Sequence, residues 1–136
     1  MIHGIGIDIV NIPKFKKAIE KWGDKLKGRV FTQGELSYCE CRRFSEQHLA
    51  VRFAAKEAFI KAIGSRVRFK EIDIMNNSDG RPYIVLNPQF PIPNSEILTP
   101  NSGFRTHLSL SHDGDYCIAQ VIVEVKTPRL QGMISL

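Results

Sequence analysis

The stretch from Arg52 to Lys61 constrains the fold of this chain more than any other part of the sequence. It contains three alanines and no glycine or proline, so it is predicted to be helical. At about 100° per residue, the large apolar side chains of this helix and its flanks fall on one stripe, and most of the remaining face is alanine. The stripe consists of Leu49, Phe53, Ile60 and Ile63. A helix that is apolar nearly all round is usually buried, so we expect other elements to pack around this one.

The charges within this helix need partners. Lys56 falls inside the apolar stripe, and Glu57 sits at its edge, one turn before Lys61. Because lysine and glutamate are almost never fully buried unless they are paired, a buried helix implies groups that neutralise them. A simpler interpretation is an i, i+4 pair between Glu57 and Lys61 on a solvated face, worth about 0.2–0.5 kcal/mol. The spacing alone leaves both interpretations open.

Residues 2–10 predict a strand. Isoleucines at positions 5, 7 and 9 point to one side. The other side carries Gly4, Gly6, Asp8 and Val10. The two glycines leave space for another group to approach the face that carries Asp8. A carboxylate in an apolar strand is costly unless it is paired or bound to a metal, although a plain strand-end aspartate is the simpler alternative.

The next segment predicts a basic amphipathic helix from Ile12 or Pro13 to Lys27, closed by Gly28. Its apolar side chains recur at spacings of three and four: Ile12, Phe15, Ile19, Trp22 and Leu26. Lysines occupy much of the remaining surface: Lys14, Lys16, Lys17, Lys21 and Lys25. Such a helix can dock on a membrane, an acidic partner or RNA, although a solvated surface helix is the more common case.

The remaining elements follow from capping, periodicity and turn residues. A helix is predicted over residues 31–44, opened by a capping box of Thr32 and Glu35, and the central helix is expected to end at Gly64. Two hairpins are predicted, one with strands at 71–75 and 81–86, the other with strands at 105–111 and 116–125. Residues 87–101 hold four of the seven prolines and predict a loop.

Length and composition predict one globular domain. We place it at residues 1–125 of the 136 and expect a C-terminal tail at 126–136. There is no apolar run near the roughly 20 residues of a membrane span and no charged-then-apolar leader, so we expect a cytoplasmic protein. The net charge of +5 and the pI near 9.3 favour acidic partners, such as a nucleic acid, an anionic membrane, an acidic protein or a polyanionic small molecule.

Cysteine usage agrees with a reducing compartment. The three cysteines, Cys39, Cys41 and Cys117, are odd in number and show no framework spacing, which favours reduced thiols. His48 lies near the Cys39-x-Cys41 pair, but no fourth ligand for a zinc site is evident.

Two of these segments together resemble the phosphopantetheinyl transferases. Residues 53–61 (Phe-x-x-Lys-Glu-Ala-x-x-Lys) are similar to the signature helix of that family, and residues 4–10 (Gly-Ile-Gly-Ile-Asp-Ile-Val) to its other signature. A third, weaker resemblance lies at 108–112 (Leu-Ser-Leu-Ser-His). Their order and positions match the short, single-copy subgroup, the holo-[acyl-carrier-protein] synthases. The resemblance implies an α+β fold in which an antiparallel sheet packs against helices.

The resemblance also implies a reaction. The phosphopantetheine arm of coenzyme A moves to a serine of acyl carrier protein, and adenosine 3′,5′-bisphosphate is released. Asp8 and Glu57 would bind Mg²⁺, which favours one or two carboxylates plus waters and substrate phosphates. Glu57, directly or through a metal-bound water, is the candidate general base. Lys61 would stabilise charge on the phosphates, and Lys56 would do the same or pair with a carboxylate.

Further roles come from family analogy. The residues expected to contact coenzyme A are Arg52, Lys56, Lys61, Gly64, Ser111 and His112, whereas Arg42 and Arg43 are phosphate contacts only by charge. The residues expected to receive the acidic carrier protein are Lys14, Lys17, Lys21 and Lys25. Single-copy members imply a homotrimer with sites at subunit interfaces. Asp8 and Glu57 would then come from one protomer and the strand ending at Ser111 and His112 from its neighbour.

Three other functions compete with this one. The basic helix and the Arg42-Arg43 pair fit a nucleic-acid-binding module without enzymatic activity, but no nucleic-acid motif is recognisable and the aromatic residues resemble a core. The same helix fits a peripheral membrane protein. A binder of carrier protein or acyl-coenzyme A without transferase activity is the third, and the intact Asp8, Glu57 and Lys61 argue against it.

Overall fold

The computed structural model describes residues 1–87 and 104–125. Within them the chain forms four α-helices, one short 3₁₀ helix and five β-strands. In chain order these are β1 (Ile2–Asn11), α1 (Ile12–Trp22), α2 (Asp24–Val30), α3 (Gln33–Glu40), α4 (Ser45–Ile63), the 3₁₀ helix (Phe69–Glu71), β2 (Ile72–Asn76), β3 (Pro82–Leu86), β4 (Arg105–Asp113) and β5 (Tyr116–Glu124). Except for Asn87, the loop predicted at 87–101 lies outside the described residues, and so does the tail predicted at 126–136.

The central helix α4 is buried, as its composition predicts. The side chains with almost no exposed surface include Leu49, Ala50, Ala54, Ala55, Ala58, Phe59, Ala62 and Ile63. The small alanines let strands approach closely on one side, while the larger apolar residues fill the core. The helix ends where predicted, at Gly64, whose φ of 74° lies in the left-handed region that glycine adopts without strain.

Strand β1 lies directly on α4. A Cβ atom added at Gly6 would overlap the carbonyl oxygen of Ala58, and one added at Gly4 would overlap that of Ala62. Only glycine allows this approach, which confirms the expectation that the two glycines leave space for another group. The consequence is that Asp8, two residues after Gly6, is held against the C-terminal half of α4.

Within residues 1–87 and 104–125, all strand pairs are antiparallel, and they form two sheets: one of three strands in the order β1-β5-β4, and the hairpin β2-β3. The inner face of the larger sheet packs on α4 through Ala119, Val121 and Val123, which are fully buried. Its outer face is apolar and open: Ile5, Ile7 and Ile9 are 58%, 53% and 63% exposed. The expected antiparallel α+β architecture is therefore confirmed. One detail differs, because Glu71 belongs to the 3₁₀ helix rather than to the strand.

The basic segment is two helices, not the single helix predicted. Gly23 separates α1 from α2 with φ 54° and ψ −133°, a conformation open to glycine and strained for other residues. Gly28, predicted as the end of the helix, lies inside α2. The spacing of apolar residues does not reveal this break, because Trp22 and Leu26 are four positions apart across it, as they would be in a continuous helix. Trp22, predicted on the apolar stripe, is 54% exposed.

Helix α3 begins as predicted and ends early. The reciprocal capping box is present: the Glu35 amide donates to Thr32 Oγ1 at 3.2 Å, and the Thr32 amide donates to Glu35 Oε1 at 2.8 Å. The helix stops at Glu40 rather than at Phe44. Phe44 has φ 61°, which is unusual for an aromatic residue, and the chain changes direction there before α4.

Candidate active site

Asp8, Glu57 and Lys61 meet where β1 crosses α4. Lys61 Nζ donates to Asp8 Oδ1 at 3.1 Å and to the carbonyl oxygen of Ile7 at 3.0 Å. The Asp8 side chain is 17% exposed and that of Lys61 53%. The ion pair of Lys61 is thus with a strand residue 53 positions away, and the simpler alternative of an intrahelical Glu57–Lys61 pair is not what forms.

The electrostatics of Glu57 reflect this proximity. Burial, and then the negative charge of Asp8, raise the pKa of Glu57 above its usual value, while Lys61 partly lowers it. Two nearby carboxylates at a half-buried position repel each other, so a bound cation would stabilise their charged forms. The raised pKa also makes the Glu57 carboxylate a stronger proton acceptor than an ordinary glutamate.

The carboxylate oxygens of Asp8 and Glu57 suit a hard cation that completes its coordination with other ligands. Among residues 1–87 and 104–125, no group of three or more histidine, cysteine, aspartate or glutamate side chains is arranged to hold a metal ion alone. Asp8 and Glu57 would supply two oxygen ligands, and the remaining ligands would come from water or substrate. Mg²⁺ binds in this way, through one or two carboxylates plus phosphate oxygens.

A cavity of about 880 Å³ opens beside Glu57. Its apolar lining consists of Leu26, Val30, Phe53, Val67 and Phe69. Three cations also line it, Arg29, Arg68 and Lys70, and none of them is among the site residues predicted from the sequence. The alternation of basic and apolar residues over 66–70, directly after the signature helix, is the signal that could have identified two of them. The cavity therefore offers an apolar wall and positive charge next to Glu57.

Lys56 takes the second of the two roles predicted for it. It has no exposed surface, and its Nζ donates to Glu35 Oε1 at 2.6 Å, to the carbonyl of Val30 at 2.6 Å and to that of Phe69 at 2.9 Å. All three ammonium hydrogens thus have acceptors within the protein. The expected contact of Lys56 with coenzyme A does not fit this geometry, whereas pairing with a carboxylate does.

Arg52 lies on another side of α4. Its Nη2 donates to Asn76 Oδ1 at 2.7 Å and its Nη1 to the carbonyl of His48 at 3.1 Å. Its guanidinium lies 4.4 Å from the centre of the Tyr38 ring. Together with Arg81 and Ser109, these groups line a second cavity, of about 620 Å³.

His112 belongs to the same basic region as Arg52. Burial lowers the pKa of His48, and the positive charges of Arg52, Arg42 and His112 lower it further. Arg52, Arg42 and His112 therefore each lie close enough to His48 to act on its charge. Ser111 and His112 are exposed near the end of β4, as the predicted contacts of a coenzyme phosphate need to be.

The predicted site residues thus form two groups within one chain. Arg52 and Glu57 are five positions apart on α4, which turns them about 140° from each other around the helix axis. Each lines a different cavity. Gly64 is exposed at the C-terminal end of α4. The structure brings Asp8, Glu57 and Lys61 together but does not bring Arg52 and His112 to them.

The lysines predicted to receive a carrier protein are all exposed. Three of them, Lys14, Lys17 and Lys21, lie on α1, whereas the break at Gly23 places Lys25 on α2. Lys21 Nζ lies 5.0 Å from the centre of the exposed Trp22 ring. Among the residues that the structure describes, no helix combines the length and the hydropathy needed to cross a bilayer.

Comparison with known proteins identifies the family. The model of the 4′-phosphopantetheinyl transferase superfamily matches residues 4–121. A holo-[acyl-carrier-protein] synthase of Halothermothrix orenii is 39% identical over 128 residues, covering 91% of this chain and 98% of that protein. The structure of the synthase from Neisseria meningitidis superposes with a TM-score of 0.80 at 35% identity, over 91% of this chain and 99% of the other.

A second solved structure, a holo-(acyl-carrier-protein) synthase from Bacillus anthracis in complex with CoA (3′,5′-ADP), superposes with a TM-score of 0.72 at 30% identity. It covers 90% of this chain and 96% of its own. The resemblance inferred from the signature segments is therefore confirmed over most of the chain, and this protein belongs to the 4′-phosphopantetheinyl transferase superfamily.

Proposed function

We propose that this protein is a holo-[acyl-carrier-protein] synthase. It transfers the 4′-phosphopantetheine group from coenzyme A to a serine of an apo acyl carrier protein and releases adenosine 3′,5′-bisphosphate. The observation that supports this most directly is the meeting of Asp8, Glu57 and Lys61, because it joins both signature segments in one site. The names of the relatives and the complex of the Bacillus anthracis relative with CoA (3′,5′-ADP) support the choice of substrates.

Asp8 and Glu57 are the residues that would hold Mg²⁺, which when bound neutralises and orients a diphosphate. The carrier serine oxygen attacks the phosphorus next to the pantetheine, and the bond from that phosphorus to the bridging oxygen of the diphosphate breaks. Glu57 accepts the serine proton, a role supported by its raised pKa. Lys61 stabilises the negative charge on the phosphates. Arg29, Arg68 and Lys70 add positive charge along the cavity that receives the coenzyme.

We also propose that the protein works as a homotrimer with its sites between protomers. Two observations support this. The outer face of the larger sheet leaves a row of apolar side chains uncovered: Ile5, Ile7, Ile9, Tyr116 and Ile118. Contiguous exposed apolar surface of this kind is typical of an interface. In addition, the residues expected to contact coenzyme A (Arg52, Ser111 and His112) lie away from Asp8 and Glu57 of the same chain. A neighbouring protomer would therefore supply these coenzyme contacts.

Subunit mixing tests the shared site. Asp8→Ala and His112→Ala each disable one half, and trimers that contain both variants regain some intact interfaces. We expect co-expressed mixtures to be more active than either variant alone. If both halves belong to one protomer, mixing restores nothing.

Light scattering on Ile5→Glu tests the interface itself. A charge on the apolar face should weaken assembly and lower the particle mass. An unchanged mass would mean that the protomers assemble through another surface.

We expect the enzyme to act in the cytoplasm, where acidic carrier proteins would dock on Lys14, Lys17, Lys21 and Lys25. All three cysteines, which lie within the described residues, are free thiols, as a reducing compartment would keep them.

The transfer itself is tested by the mass of a purified apo carrier protein after incubation with this protein, coenzyme A and Mg²⁺. We expect a gain of one phosphopantetheine that a chelator abolishes. Asp8→Ala and Glu57→Ala should lose the gain while remaining folded by circular dichroism. No gain with several carrier proteins would reject the transferase, and binding to nucleic acid and to liposomes would be measured next. Full activity in either variant would reject the metal site.

A further inference from the structure

We infer that Lys61 is an internal counter-ion for Asp8 that competes with the divalent cation and moves to the diphosphate when the cation binds. The inference rests on the proposed function, because it concerns the order of events at the same site. It assigns Lys61 two successive partners, a carboxylate of its own chain and then the coenzyme. It also makes the binding of metal and coenzyme cooperative.

The contacts of Lys61 carry the first step. Its ammonium donates to Asp8 Oδ1 and to the carbonyl of Ile7, so it occupies one of the two carboxylates that a cation would need. Glu57 is within electrostatic reach of the same ammonium. The Lys61 ammonium therefore already neutralises part of the negative charge of Asp8 and Glu57. A metal ion that binds Asp8 has to displace this ammonium.

Lys61 is held by fewer contacts than Lys56. Both lysines project from α4 and both bind a carboxylate. The side chain of Lys56 is fully buried with three acceptors, so releasing it would break the core, whereas the Lys61 side chain is 53% exposed and keeps one hydrogen available to solvent or substrate. Because the lysine end of this ion pair is open to solvent, screening weakens the pair, and displacing Lys61 costs less than displacing Lys56.

The second step follows from charge balance. A displaced ammonium beside Asp8 and Glu57 would be close to the cation that replaced it, and the two positive charges repel. A diphosphate provides anionic oxygens for both. Coenzyme A therefore lowers the cost of moving Lys61, and by linkage the metal raises the affinity for coenzyme A by the same factor.

Direct binding of Mg²⁺, measured by calorimetry on the intact protein with and without coenzyme A and without carrier protein, tests this independently of turnover. Lys61→Met keeps most of the length of the side chain and removes the charge. We expect it to bind Mg²⁺ alone tighter by about threefold or more, the scale of an exposed ion pair plus nearby charge repulsion. The control is Lys16→Met, an exposed residue of α1, which should change the affinity by less than about 1.5-fold because distant surface charges are screened.

The coupling gives a second readout. The ratio of Mg²⁺ dissociation constants without and with coenzyme A should be smaller in Lys61→Met than in the parent protein. Unchanged or weaker binding of Mg²⁺ alone by Lys61→Met overturns the inference and leaves the transferase in place. If the parent protein binds no Mg²⁺ even with coenzyme A, both the inference and the proposed metal site are rejected.

Discussion

At the scale of single residues, Glu35 holds the wall of the proposed site together. Its Oε1 accepts from Lys56 Nζ and from the Thr32 amide, and its Oε2 accepts from the Ile74 amide at 2.8 Å. Lys56 in turn ties α4 to the carbonyls of Val30 and Phe69. Val30, Thr32 and Phe69 all line the large cavity, so this buried ion pair sets the spacing of elements around it.

Lys56→Met should therefore lower the free energy of unfolding by about 3–5 kcal/mol, because it leaves a buried carboxylate without its counter-charge. The double variant Lys56→Met/Glu35→Gln removes both charges and should be less destabilised than the single one. Urea denaturation of the parent protein, the single variants Lys56→Met and Glu35→Gln, and the double variant measures this. A double variant that loses the sum of the two single effects would mean that the two side chains act independently.

Glu57 is expected to reduce stability at neutral pH. Its raised pKa means that the folded state holds the proton more tightly than the unfolded chain, so stability falls as pH rises from the ordinary value of 4.5 through the folded-state pKa. Glu57→Gln cannot ionise and should unfold at a higher temperature than the parent protein at neutral pH. The difference should shrink as the pH falls towards 4.5. Thermal melts across this range check the trend, and a difference independent of pH would contradict it.

At the scale of elements, the contact between β1 and α4 decides where Asp8 lies. Gly6→Ala would force the strand off the carbonyl of Ala58, and we expect a loss of about 2–3 kcal/mol in unfolding free energy together with loss of transfer. Gly28 is the matched control, because no atom lies within 4 Å of an added Cβ there. Gly28→Ala should stabilise α2 by about 0.5–1 kcal/mol. Equal effects at both positions would show that glycine flexibility, not close approach, matters at Gly6.

The sequence predicts well those elements that are determined by residues close together in the chain. The capping box of Thr32 and Glu35, the alanine-rich α4 and the hairpins each follow from a few neighbouring residues. The break at Gly23 was missed because the apolar spacing continues across it. The partners of Lys56 and Lys61 could not be derived from spacing, since they lie 21 and 53 residues away and depend on how the elements pack.

At the scale of the whole molecule, the positive charge is expected to select the carrier protein. Charge reversal at Lys14, Lys17 and Lys21 together should raise KM for the carrier roughly tenfold or more, since three exposed ion pairs are lost, and should leave KM for coenzyme A unchanged. Added salt should raise KM of the parent protein and affect the variant much less. An unchanged KM would place docking on another surface.

The position of β1 in the sheet has a consequence for handling the protein. Within the described residues β5 is its one strand partner, so β1 forms an edge with isoleucines alternating along it and no proline or lysine between Ile2 and Val10. Bare edges of this kind template the addition of strands from other chains. Unassembled protein should therefore aggregate on refolding, and the turbidity of the refolded sample should rise when assembly is weakened. Turbidity that does not change would contradict this.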